Sequence, residues 1–172
     1  EDLRVVNRTE ANSPVGAFYG WVVEDKVDPA TGNFVRVDTN GDGTVDEADQ
    51  TIIGNPTPDF TYGFNFSGAY KNFDFLLNFN GVQGNEIYNL SRYYNILWQD
   101  GGKLTEVLNS WTPSNTDTNI PLASISDAAG NKAPSSFFVE DGSYFRLKNI
   151  EIGYFFTDKR YGWIDKFGEK YK

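Results

Sequence analysis

Between Tyr62 and Gly81 apolar and small polar residues alternate along the chain, broken once at Lys71-Asn72. In extended backbone, side chains point to opposite faces in turn. Tyr62, Phe64, Phe66 and Tyr70 therefore share one face, with Asn65 and Ser67 on the other. The second run puts Phe73, Phe75, Leu77 and Phe79 opposite Asp74, Asn78 and Asn80. Lys71-Asn72 has the length of a two-residue turn, so residues 62–81 are expected to form a β-hairpin. Each run is close to the roughly 9–11 residues with which a tilted strand crosses a bilayer. Alternation alone suits a soluble β-sheet with one wet face better, because barrel strands are weak signals singly.

Composition narrows the functions such a sheet could serve. The 172 residues hold 15 basic and 24 acidic side chains, a net charge of −9 that repels phosphate backbones and argues against a nucleic-acid partner. Cysteine and histidine are absent, which removes disulfides, thiolate metal sites, thiol nucleophiles and the usual general base near neutral pH. The chain is therefore expected not to be an enzyme. Aromatic residues make up 16%, including 10 Tyr and 14 Phe, a balance that favours strands. No apolar run reaches the length of a membrane-spanning helix, and the opening EDLRVVNRTE does not read as a secretory signal.

Elsewhere the periodicity changes. The opening third mixes short β-prone runs with Pro and Gly punctuation. Ile87, Leu90, Tyr94, Leu97 and Trp98 fit helical spacing, as do Leu104, Val107, Leu108 and Trp111, with Gly101-Gly102 as a break. Residues 86–121 therefore read as a long excursion with short helices. In the final β region, 137–156, Phe145 and Leu147 lie on one parity and Ile150, Ile152 and Tyr154 on the other, which calls for a bulge near Lys148-Asn149 or a change of environment. Two or three candidate spanning strands fall short of the about eight that the smallest membrane barrels need. If they cross a membrane, the chain is a fragment. Asn7, Asn65 and Asn89 stand in glycosylation-like triplets, which an Asn-rich chain produces by chance.

The stretch DTNGDGTVDEAD, residues 38–49, has the spacing of a calcium loop. Asp38, Asn40 and Asp42 alternate so that their oxygens converge, and Gly43 permits a sharp turn. Thr44 offers its carbonyl, Asp46 ligates directly or through water, and Asp49 occupies the closing position. Those six residues are the expected ligands of a structural Ca2+. Asp49 stands where helix-loop-helix sites carry Glu, and its shorter arm reaches less easily with both oxygens.

Taken in order, GAFYGWVVE, the acidic loop, GNPTPDFTYGF, SWTPSNTDTNIPLA and EDGSYFRLKNIEIGY resemble the C-terminal region of SusC/RagA-type TonB-linked (TonB-dependent) outer-membrane transporters. The resemblance implies an all-β chain: C-terminal strands and long extracellular loops of a transmembrane barrel of about 22 strands, with short helices in the loops. It implies a plugged importer in the bacterial outer membrane that takes up oligosaccharides or peptides with energy from TonB. A SusD-type surface lipoprotein would cap it. Lys71-Asn72 would be a periplasmic turn, and the acidic loop and the 98–121 excursion would be extracellular. The plug and the TonB-contacting segment would lie outside this chain, and the ending TDKRYGWIDKFGEKYK does not resemble final barrel strands.

The principal rival is a secreted, calcium-stabilised β-domain that binds carbohydrate, stacking sugars on Trp98, Trp111 or Tyr93. A dockerin-type module would need a second acidic loop. A carboxylate glycosidase would have to use groups such as Asp74 or Glu86.

Overall fold

The computed structural model describes residues 6–97, 103–124 and 126–156. Trp98, the Gly101-Gly102 break and the ending from Thr157 lie outside them. The chain divides into two compact units, residues 1–60 with 82–143, and residues 61–81 with 144–172.

The second unit is a sheet of three long strands. β6 is Phe60–Tyr70, β7 is Phe73–Gln83 and β10 is Tyr144–Tyr154, in the order β10-β7-β6. Lys71 takes a left-handed φ of 55°, which lets two residues reverse the chain between β6 and β7. Phe73 meets Tyr154 at 4.6 Å and Phe79 meets Phe145 at 5.4 Å between ring centroids, so β10 runs antiparallel to β7. The Phe155 N–H donates to the Asn72 carbonyl at 2.8 Å and ties the end of β10 to the turn.

One face of this sheet is apolar and exposed. Phe66 is 55% accessible, Phe73 55%, Phe145 57% and Ile152 72%, far beyond what a soluble sheet leaves open over three strands. Two glycines on that face accommodate large rings from the neighbouring strand. The Tyr62 ring lies over Gly81, and the Phe75 ring lies where a side chain on Gly68 would start, at 2.7 Å. A bare glycine leaves a gap in the sheet surface that a cross-strand aromatic fills. Among the described residues no helix is long and apolar enough to cross a membrane, a statement that leaves strands untouched.

The phase change in β10 is a bulge. Phe145 shares the apolar face with Phe79, yet nine residues on Tyr154 shares it with Phe73, so odd and even positions exchange roles between them. Consecutive residues Lys148 and Asn149 both line the cleft on the polar side, where the alternation slips by one.

The first unit is built from short strands: β1 Asn7–Arg8, β2 Ala17–Gly20, β3 Val23–Val27, β4 Phe34–Arg36, β5 Thr51–Gly54, β8 Glu86–Tyr88 and β9 Val139–Asp141. They make a sheet β1-β2-β5 and two ribbons, β3-β4 and β8-β9, all antiparallel. The core is Ala17, Phe18, Trp21, Val27, Ile96, Ile120, Ala133 and Phe138. Phe138 is fully buried, with the rings of Tyr88, Tyr93 and Phe137 at 5.8, 5.2 and 5.0 Å.

The 86–121 excursion departs from simple helical spacing. Ile87 lies in β8, and one helix, α1, spans Leu90–Leu97. Asn89 Oδ1 accepts the Arg92 N–H at 2.8 Å and fixes its start. Tyr93 and Ile96 face the core, while Leu90 and Tyr94 are 49% and 40% exposed, so the apolar spacing does not mark the buried face. Val107 and Leu108 belong to a 3-10 turn, Thr105–Asn109, rather than an α-helix, and Leu104 precedes it in extended backbone. Trp111 follows it with its ring against Gly32 and its indole N–H on the Pro29 carbonyl at 3.2 Å. Arg92 pins α1 to this stretch: its guanidinium pairs with Glu106, donates to the Phe137 carbonyl at 2.7 Å and lies 4.0 Å over the Phe137 ring.

Truncating Phe138 to Ala in the full-length protein removes the ring on which this cluster converges. It should cost the first unit about 3–5 kcal/mol, read as a lower denaturant midpoint for proteolytic attack on residues 86–143.

Candidate functional site

The acidic loop runs from Asp38, half-buried, to Asp49, which is fully buried. Asn40, Asp42, Thr44 and Asp46 are exposed between them. The side chains fold the backbone by accepting its N–H groups. Asp38 takes Gly41 at 2.6 Å and Gly43 at 2.8 Å; Asn40 takes Asp42, and Asp42 takes Thr44, each at 2.8 Å. Gly41 and Gly43 have φ of 77° and 87°, which only glycine adopts without strain.

Asp49 holds the two ends of the loop together. One oxygen accepts the N–H groups of Thr39 and Asn40 at 2.9 and 3.2 Å, and the other accepts that of Asp46 at 2.8 Å. Asp46 in turn caps the short 3-10 turn Glu47–Asp49 by accepting the Ala48 N–H at 2.8 Å, which completes a capping box. The Asp46 N–H is the strongest influence holding the Asp49 carboxyl below its ordinary value of 3.8; burial opposes it, and the Asn40 and Thr39 N–H groups reinforce it. Of the six residues expected to hold a cation, the loop thus brings Asp38 and Asp49 inward and leaves the other four at its surface. Among the described residues no three carboxylates converge as a ready-made metal group.

The polar face of the long sheet forms a second site. Asn65, Asn78, Phe79, Asn80, Lys148 and Asn149 line a cleft of about 540 Å3. At the Tyr144 end, Asn80 donates to the Tyr144 hydroxyl at 3.4 Å and accepts from Arg146 Nε at 3.2 Å. The Arg146 guanidinium lies 4.9 Å over the Tyr144 ring. At the other end the Asp74 carboxylate lies over Gly153. In the sequence Lys148 stands out only as a bulge position and Arg146 not at all. Their signal was available, since they share Tyr144's parity and so oppose the Asn80 side of β7.

Residues required by the rival readings have other work. Tyr93 donates to the Lys132 carbonyl at 2.9 Å and packs on Phe138, and Trp111 packs on Gly32. Glu86 accepts the Asn55 N–H at 2.7 Å.

A long antiparallel sheet with an exposed aromatic face and a polar reverse, continuous in sequence with an elaborate loop unit, has the two-faced pattern of strands in a membrane β-barrel. No family model matches the chain. TonB-dependent receptors P26 and P3 of Formosa agariphila are 43% and 41% identical to it over 119 and 130 residues, 68% and 74% of the chain. SusC, a TonB-dependent receptor of Bacteroides thetaiotaomicron, is 28% identical over 140 residues. The chain spans 12% of the length of P26 and of P3. In fold it resembles the RagAB peptide importer in the closed-closed state, with a TM-score of 0.70 over 94% of this chain and 18% of that one, at 23% identity. A second RagAB peptide transporter structure gives 0.68. The chain belongs to the TonB-dependent receptors, as part of a SusC/RagA-type β-barrel.

Asn in place of Asp49 would set an amide N–H against the Asp46 N–H. The full-length protein carrying Asp49→Asn should be cleaved in residues 38–49 roughly tenfold faster under native conditions. Because the folded carboxyl titrates below 3.8, its stabilisation is complete at higher pH and is lost as pH falls through the folded value, so wild type and variant should converge in acid.

Proposed function

We propose that this chain forms part of the wall and outer loops of a TonB-dependent importer in the bacterial outer membrane, one that takes up oligosaccharides or peptides together with a SusD-type surface lipoprotein. The observation that carries the reading is the sheet β10-β7-β6, apolar and exposed on one side and amide-lined on the other. A lipid-facing exterior and a watery lumen require that arrangement of a barrel strand. The family relationship supports it, and the RagAB likeness in fold lends weight to peptides alongside glycans. Transport needs the rest of the barrel, the plug and TonB. No enzymatic step is assigned to the chain.

The acidic loop belongs to the same reading as a structural Ca2+ site. Its donors are hard oxygens of the kind calcium takes, from Asp38, Asn40, Asp42, Asp46 and the Thr44 carbonyl, with Asp49 closing the loop. The backbone is already turned by the Asp38, Asn40 and Asp42 bonds, so binding has only to gather exposed side chains. The cation would supply charge neutralisation and stiffness rather than reactivity.

Fractionation of native cells tests the first part. The polypeptide should be recovered in the outer membrane with barrel and plug sequence and a surface lipoprotein; recovery as a free soluble species would sink the reading. For the loop, millimolar Ca2+ should slow protease cleavage within residues 38–49 of the detergent-purified protein, and EGTA should restore it. Equal cleavage rates with and without Ca2+ would remove the metal from the account.

A further inference from the structure

Lys148 lines the amide-lined cleft on the polar face, and Arg146 borders it through its bond to Asn80, in a chain whose net charge is −9. Arg146 and Lys148 stand two residues apart on the same parity of β10. Arg146 is held in place by Tyr144 beneath its guanidinium and by Asn80 at Nε, neither of which neutralises it. Among the described residues no carboxylate pairs with Arg146 or Lys148. Glu151, the acid nearest in sequence, accepts instead from Asn149 at 2.6 Å.

The bulge contributes to this arrangement. In an unbroken strand Asn149 would point to the apolar side; the slip brings Lys148 and Asn149 together into the cleft beside Asn78, Asn80 and Asn65. A bulge interrupts the ladder of backbone hydrogen bonds, and here it places the Asn149 carboxamide, which donates to Glu151, next to Lys148.

We propose that this cleft is an oxyanion subsite for the transported oligomer. Arg146 and Lys148 take a carboxylate or sulfate carried by the oligomer, and the carboxamides, each both donor and acceptor, bond its uncharged neighbours. A guanidinium whose orientation is already fixed loses little freedom on binding, which suits a planar, two-oxygen contact. The proposal rests on the importer reading, which makes the polar face the wall of a conduit.

The test is isothermal titration of the full-length transporter, purified in detergent, with a galacturonate hexamer, a sulfated oligosaccharide of similar length, a hexaglutamate peptide and neutral maltohexaose. At least one anionic probe should bind, more weakly as salt is raised. Which one binds separates sugar carboxylate, sulfate and peptide carboxylate as the source. The double variant Arg146→Gln, Lys148→Gln should lose affinity for that probe by roughly tenfold or more, and Arg146→Lys should fall between, keeping charge without the fork. Heat-modifiable gel mobility equal to wild type establishes that the variants assemble, and Arg146→Lys with the salt dependence carries the test if the double variant does not. Absence of binding by every anionic probe, or affinity unchanged in the variants, overturns the subsite. Failure of the importer reading is seen separately, in a protein that does not fractionate with the outer membrane.

Discussion

Strand β7 has a neighbour on each side, and that position is the constraint from which the rest of the long sheet follows. Both of its rows of backbone N–H and C=O groups are paired, one with β6 and one with β10. In an apolar medium an unpaired backbone group costs several kcal/mol, so such pairing has to be complete before aromatic rings can face lipid. Once register is set, the period of two decides everything else. It collects Phe73, Phe75, Leu77 and Phe79 on one side with the rings of β6 and β10, and Asp74, Asn78 and Asn80 on the other.

The loop unit obeys a different economy. Its strands are two to five residues long, too short to bury much surface alone, and it is unified by a small aromatic core and by polar side chains bonded to backbone. Asp49 and Arg92 act alike. Each is a charged group with little exposure that gathers several partners at once, Asp49 the backbone N–H groups of its own loop and Arg92 the Phe137 carbonyl and Glu106, and each replaces hydrophobic area the unit does not have.

Much of the long sheet is legible in the sequence alone. The hairpin was legible because period two is a local signal, and the bulge because Phe145 and Ile150 disagree in parity. The loop unit was less open to such reading. Glu86 pairs with Asp141 across fifty-odd residues, a relationship no window of sequence contains. The helix was legible as a helix, but its inward face was not, because Arg92 and Tyr93 are turned by partners far along the chain. Spacing likewise named the oxygens of the acidic loop without saying which lone pairs already hold N–H groups, so the role of Asp49 as an internal tie had to come from geometry. Arg146 went unnoticed because a charged residue in a strand reads first as solvated surface.

The bulge also bears on how this strand tolerates change in length. Ahead of Lys148-Asn149 the odd positions of β10 face outward; after it the even ones do. Loss of a single codon there would remove the extra residue and restore uninterrupted alternation, with Phe145, Leu147, Ile150, Ile152 and Tyr154 all on the outer face. Only the cleft would change, by losing one of the two polar side chains that the slip places there. A codon lost elsewhere in the strand would turn the residues on one side of it over, so β10 should accept a deletion at Lys148-Asn149 far more readily than at its other positions.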